Sequence, residues 1–132
     1  MFSLGGGVKQ VLGKALTGRK PGQRVQIEVR TPQELEDALQ YGAEAILLDN
    51  MTPDQVKAAV ARVKQAEAQM ETAIPTEAGS KKRFIPTEAS GGIVLENIRS
   101  YALAGVDFIS VGALTHSAKA ADISMRITAE QR

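Results

Sequence analysis

The chain has 132 residues, which at roughly 100–150 residues per domain makes one domain and excludes a multidomain assembly. Lys and Arg total 16 against 15 Asp and Glu, a net charge of +1, so no global basic footprint points to nucleic acid. The absence of cysteine excludes disulfides, thiolate zinc sites and cysteine nucleophiles.

No apolar run approaches the roughly 18 residues of a membrane span. The stretch Met1-Phe2-Ser3-Leu4-Gly5-Gly6-Gly7 lacks the regions of a signal peptide, so the expectation is a soluble, cytoplasmic chain. Charge is uneven along it: residues 1–30 carry +5, residues 31–80 carry −6 and residues 81–132 carry +2. The basic entry segment either favours an anionic ligand or is a solvated helix face.

In chain order, Val8, Val11, Leu12 and Ala15 recur at helical spacing, with Gly18 as a candidate C-cap. Val25-Gln26-Ile27-Glu28-Val29 alternates with period two, which predicts a strand with Val25, Ile27 and Val29 on one face and Gln26 and Glu28 on the other. Thr31-Pro32-Gln33-Glu34 and Thr52-Pro53-Asp54-Gln55 each join a Thr N-cap, a Pro at the first helical position and Glu or Gln at the third. The first opens a helix carrying Leu35, Ala38 and Leu39 and closed by Gly42. The second carries Val56, Val60 and Val63. Between them Ala45-Ile46-Leu47-Leu48 is continuously apolar, the pattern of a strand buried on both faces, and stops at Asp49. Phe84–Glu88 predicts a weaker strand because Pro86 removes a ladder donor. Leu95–Ala104 reads as a helix followed by Gly105, and Val106–Val111 as a further strand.

Strands alternating with helices predict βαβ units and a parallel sheet. A complete eight-fold barrel needs roughly 250 residues, so the chain is a small open sheet or part of a barrel. Ile74-Pro75-Thr76-Glu77-Ala78 is echoed by Ile85-Pro86-Thr87-Glu88-Ala89, an offset too short for any solenoid. The intervening Lys81-Lys82-Arg83 reads as an exposed turn.

Ligands of parallel α/β folds sit beyond the carboxyl ends of the strands. Those ends supply Glu28, Asp49, Glu88-Ala89-Ser90-Gly91-Gly92 and Ser110-Val111-Gly112-Ala113. Gly lets a backbone approach an anion, so Ser90, Gly91, Gly92 and Gly112 form a candidate phosphate cradle; the same glycines also suit plain turns. Glu28 and Asp49 could accept hydrogen bonds from ribose hydroxyls or hold Mg²⁺ through water. Equally, Asp49-Asn50 could start a turn and Glu28 could be a surface residue. His116, the single histidine, could donate to a phosphate oxygen or simply be exposed; alone it makes no metal site.

The segments Ile27-Glu28-Val29, Leu47-Leu48-Asp49-Asn50-Met51, Glu88-Ala89-Ser90-Gly91-Gly92-Ile93 and Val111-Gly112-Ala113-Leu114-Thr115-His116-Ser117 together resemble quinolinate phosphoribosyltransferase, also called carboxylating nicotinate-nucleotide pyrophosphorylase. The resemblance runs from about Leu4 to Ile127. It implies the carboxy-terminal part of an open, incomplete TIM-like α/β barrel. It also implies transfer of phosphoribose from 5-phosphoribosyl-1-pyrophosphate to quinolinate, giving nicotinate mononucleotide, CO₂ and pyrophosphate in NAD synthesis, with Mg²⁺ as cofactor. By resemblance, Glu28 and Asp49 are catalytic, meeting ribose hydroxyls and the metal's water shell. Ser90, Gly91, Gly92, Gly112 and Ala113 hold the 5′-phosphate, and His116 stands beside the phosphoribosyl site. The same resemblance implies that residues 1–132 are a partial barrel whose tail, 118–132, packs on an amino-terminal domain. The Arg, His and Lys cluster for quinolinate's carboxylates lies ahead of the part this chain covers. An exposed barrel seam leads to an expectation of self-association. The alternative is a non-catalytic phosphate-binding module or an inactive fragment.

Overall fold

The computed structural model describes residues 7–72 and 83–112. Its order is α1 (Val8–Gly18), β1 (Gln26–Val29), α2 (Pro32–Gln40), β2 (Ala45–Asp49), α3 (Pro53–Thr72), β3 (Thr87–Ser90), α4 (Ile98–Leu103) and β4 (Phe108–Ile109). The four strands pair in chain order, every neighbour parallel. A βαβαβαβ run with no change of direction in strand order is the winding of an α/β barrel segment.

Local sequence sets each helix start. Thr31 Oγ1 accepts from the Glu34 N–H at 3.2 Å, and Glu34 Oε2 accepts in return from the Thr31 N–H at 3.2 Å and the Arg30 N–H at 2.6 Å. The Thr52 box closes likewise: the Thr52 N–H donates to Gln55 Oε1 at 2.8 Å and the Gln55 N–H to Thr52 Oγ1 at 3.3 Å. Gly42, at φ +87, takes the left-handed turn that ends α2.

The core lies between the sheet and its helices. Val29, Ile46, Leu48 and Ala89 are fully buried from the strands, meeting Leu35, Ala38 and Leu39 of α2 and Val56, Val60 and Val63 of α3. Polar ties join the layers. Arg62 grips Glu36 through two hydrogen bonds of 2.6 and 2.7 Å, α3 to α2. Glu67 accepts from the Ile85 N–H at 2.6 Å, and Asp107 Oδ2 accepts both the N–H and the hydroxyl of buried Thr87. The Tyr101 hydroxyl donates to the Met51 carbonyl at 3.0 Å, fixing the loop after β2.

Several boundaries differ from those expected. Helix α4 is Ile98–Leu103 rather than Leu95–Ala104, because the Val94 N–H and the Gly92 carbonyl are both taken by the Asn97 side chain, which holds 92–97 as a turn. Strand β3 starts at Thr87, not Phe84; Pro86, lacking a donor, serves instead as acceptor for the Ile46 N–H just ahead of it. Strand β4 is two residues long rather than six, since it pairs only with Glu88 and Ala89. Strand β1 begins at Gln26, and Gly18 lies inside α1 with Arg19 as the C-cap. Strand β2 is covered on one face only, with Ala45, Leu47 and Asp49 half-buried on the other. The first copy of the Ile-Pro-Thr-Glu-Ala echo and the tail 118–132 lie outside the described residues. Arg83 of the basic triplet donates to the carbonyls of Gly42 and Ala43 at 3.2 Å, so it pins the turn after α2.

Candidate functional site

Parallel pairing lays the side chains of the open sheet face out in rows. Glu28, Leu47, Glu88 and Phe108 are level across β1 to β4. One alternation further along lie Arg30, Asp49, Ser90 and Ser110, at the carboxyl ends of the strands. The helices cover the other face, so this one keeps its polar residues.

Glu28 and Asp49 are brought together, and what joins them is Arg30. Its Nη2 donates to Glu28 Oε1 at 2.6 Å and its Nε to Asp49 Oδ2 at 3.0 Å. Asp49 Oδ2 also accepts from Asn50 Nδ2 at 2.9 Å. The Asp49 side chain is only 14% exposed, whereas those of Glu28 and Arg30 are 47% and 48% exposed. The hydrogen bond to Asp49, with the charge of Glu28, raises the Arg30 pKa further above its ordinary value, so the guanidinium is a permanent cation here. Glu88 forms a second cluster: it accepts from Gln26 Nε2 at 2.8 Å and from the Ser110 hydroxyl. Sequence reasoning missed Arg30 as part of the site. The signal was available: period two puts Arg30 on the face of Glu28, and Pro32 with the Thr31 cap fixes where the strand stops.

The Ser90-Gly91-Gly92 loop abuts this cluster through Asn50. Asn50 is left-handed at φ 54, and its N–H donates to the Ser90 carbonyl at 2.9 Å. Gly91, at φ +92, passes so close that a Cβ there would lie 2.4 Å from Asn50 Oδ1, while a Cβ on Gly92, at φ +63, would meet open space. Among the described residues, the amides of Gly91, Gly92 and Ile93 donate to no backbone acceptor. They are three successive donors at the same sheet end as the carboxylates, which is the chemistry of an anion cradle. The loop runs into the Asn97 turn rather than directly into a helix, so its donors are loop amides and not a helix terminus. Gly112 closes the described chain two residues beyond Ser110. Ala113 and His116 lie outside the described residues.

A directly held metal does not suit the pair. Arg30 occupies one oxygen of each carboxylate, and no group of three or more His, Asp or Glu side chains among the described residues could hold an ion. A water-mediated contact to an ion carried by phosphate oxygens does suit it. An apolar cleft of about 280 Å³ between α2 and α3, with Leu35, Met51, Ala58 and Ala59 in its lining, meets this cluster at Arg30, which also lines it.

Comparison with known proteins gives this geometry a family. The model of the quinolinate phosphoribosyl transferase C-terminal domain matches residues 1–126. A probable carboxylating nicotinate-nucleotide pyrophosphorylase of Methanocaldococcus jannaschii is 36% identical over 95% of this chain and 40% of its own length. One from Bacillus subtilis is 38% identical over 79% of this chain and 30% of its own. Among solved structures, the nicotinate-nucleotide pyrophosphorylase of Francisella tularensis superposes with a TM-score of 0.64 at 29% identity, over 83% of this chain and 32% of that one. The chain thus spans two fifths or less of the length of these relatives. It belongs to the quinolinate phosphoribosyltransferase family, and the part it represents is the C-terminal domain.

Proposed function

We propose that the chain carries the phosphoribosyl-binding half of a quinolinate phosphoribosyltransferase, acting in the cytoplasm on 5-phosphoribosyl-1-pyrophosphate and quinolinate. The observation that carries this reading is the juxtaposition at one sheet end of a clamped carboxylate pair and a loop of unpaired amides, bridged by Asn50. A phosphorylated pentose needs both: acceptors for its hydroxyls and donors for its phosphate.

In this reading Glu28 and Asp49 accept from the ribose hydroxyls and, as anions, favour the positive charge that develops on the sugar ring as pyrophosphate leaves. The amides of Gly91, Gly92 and Ile93, with Ser90 and Gly112, hold the 5′-phosphate; the family resemblance assigns Ala113 to the same role and His116 to the phosphoribosyl site. Glu28 and Asp49 would hold Mg²⁺ through water, and the ion would supply charge neutralisation for the leaving pyrophosphate. The positions that recognise quinolinate's carboxylates belong to the part of the relatives this chain does not cover, and copies of the chain associate with one another. The alternative of a non-catalytic phosphate-binding module shares the cradle and differs in lacking turnover.

The test is calorimetric titration of the 132-residue chain with ribose 5-phosphate, beside a turnover assay with both substrates. Binding is expected with a dissociation constant of order 1 mM, near −4 kcal/mol. Gly92→Asp should abolish it: Asp tolerates left-handed backbone, so the fold survives while a carboxylate enters the cradle. Turnover is expected to be absent. Unchanged affinity in folded Gly92→Asp would show that the phosphate lies elsewhere.

A further inference from the structure

Two carboxylates on adjacent strands repel each other and, left alone, would turn apart or gather a cation from solution. Here the third charged side chain of the strand ends lies between them. Arg30 is level with Asp49 and one alternation beyond Glu28, so its fork reaches sideways to one strand and back along its own. Its backbone has no freedom to drift, because the Arg30 N–H is held by Glu34 Oε2 at 2.6 Å, inside the capping box of α2. The planar guanidinium sends different N–H groups in fixed directions to two carboxylates; an ammonium is a point charge and cannot. On the Asp49 side the acceptor Oδ2 is shared with Asn50 Nδ2, so that carboxylate is fixed from two directions.

We propose that Arg30 is a positioning residue of this site, holding Glu28 and Asp49 as one pre-set pair that stays open to sugar hydroxyls and closed to a free divalent cation. The proposal rests on the reading of the pair as sugar-binding carboxylates, but its central consequence concerns the cation and is measured without sugar. Arg30 fills the ground a divalent ion would take, so the ion has to compete with an attached guanidinium at very high effective concentration.

Mn²⁺ serves as the probe, its free concentration followed by electron paramagnetic resonance in titrations of the chain. The wild-type chain is expected to bind Mn²⁺ no more tightly than about 1 mM. Arg30→Gln should bind at one site about tenfold or more tightly, and adding Asp49→Asn to it should remove the gain. Because Arg30 is half-exposed, circular dichroism of the variants should match the wild type. Arg30→Lys keeps the charge without the fork and should fall between the two for Mn²⁺, while loosening ribose 5-phosphate severalfold. A wild-type chain that binds Mn²⁺ stoichiometrically below millimolar, or an Arg30→Gln chain that gains nothing, would overturn the clamp. So would an Arg30→Lys chain identical to wild type in both titrations, since a bare counter-charge would then suffice. Absence of ribose 5-phosphate binding by the wild type would count against the proposed function and leave the Mn²⁺ comparison able to decide.

Discussion

Gly91 and Asn50 show how tightly the candidate site is specified by single residues. Both have positive φ, and the missing Cβ of Gly91 leaves room for the Asn50 side chain, whose Nδ2 supports Asp49. Gly91→Ala therefore meets two penalties. Left-handed backbone costs a non-glycine residue about 1–2 kcal/mol. In addition the Asn50 side chain has to swing away from the new methyl, which would lie 2.4 Å from its Oδ1 and 2.8 Å from its Cγ, and the Asn50 backbone N, at 3.0 Å, has to give as well. Gly92→Ala pays the first penalty alone, because its Cβ would point into open space. Urea melts of the two variants should differ, with Gly91→Ala the less stable and its Asp49 displaced; equal destabilisation would mean that the Asn50 contact carries no energy.

The elements are tied at their ends by carboxylates, and one of these ties gives the chain a pH dependence. Glu44, just before β2, accepts from Arg19 at the end of α1 and from the Val25 N–H, at 2.9 Å, at the entry to β1. These bonds, that from Arg19 first, hold its pKa below the ordinary 4.5. A carboxyl with a lowered folded-state pKa contributes stability that is complete above its ordinary value and is lost as pH falls through the lower, folded-state one. Wild-type chain should thus lose stability over that acid window more steeply than Glu44→Gln, with the difference shrinking in high salt because the pair is partly exposed. Urea midpoints from neutral to acid pH check this; parallel curves would show that Glu44 is not the group responsible. Both helix starts at Thr31 and Thr52, the Gly42 stop and the faces of β1 were legible because each is written in adjacent residues. What was not legible depends on distant partners. The shortening of α4 comes from the Asn97 side chain folding back on residues 92–94, and the brevity of β4 from its pairing with β3 at Glu88 and Ala89 alone. In the site, Glu28 and Asp49 could be named from their strand ends, but their union through Arg30 needed the register of β1 against β2.

At the scale of the whole molecule, a parallel sheet ordered β1-β2-β3-β4 presents two edges, and among the described residues neither β1 nor β4 has a second neighbour. Parallel sheets are ordinarily covered on both faces and closed or capped at their edges. Here large apolar side chains stand open: Phe108 is 61% exposed on the uncovered face at the β4 edge, with Leu95 at 84% and Leu103 at 75% nearby in sequence. Burying apolar area contributes roughly 25 cal/mol per Å², so a second copy that covers these groups and pairs an edge gains stability the monomer forgoes. The expected behaviour of the purified chain is association, with a melting temperature that rises with protein concentration. Phe108→Lys places a charge at the edge and removes an apolar contact, and should shift the chain toward monomer in sedimentation velocity while leaving its helix content unchanged. A wild-type chain that sediments as a monomer and melts sharply, reversibly and independently of concentration would show that these edges are already satisfied within one copy.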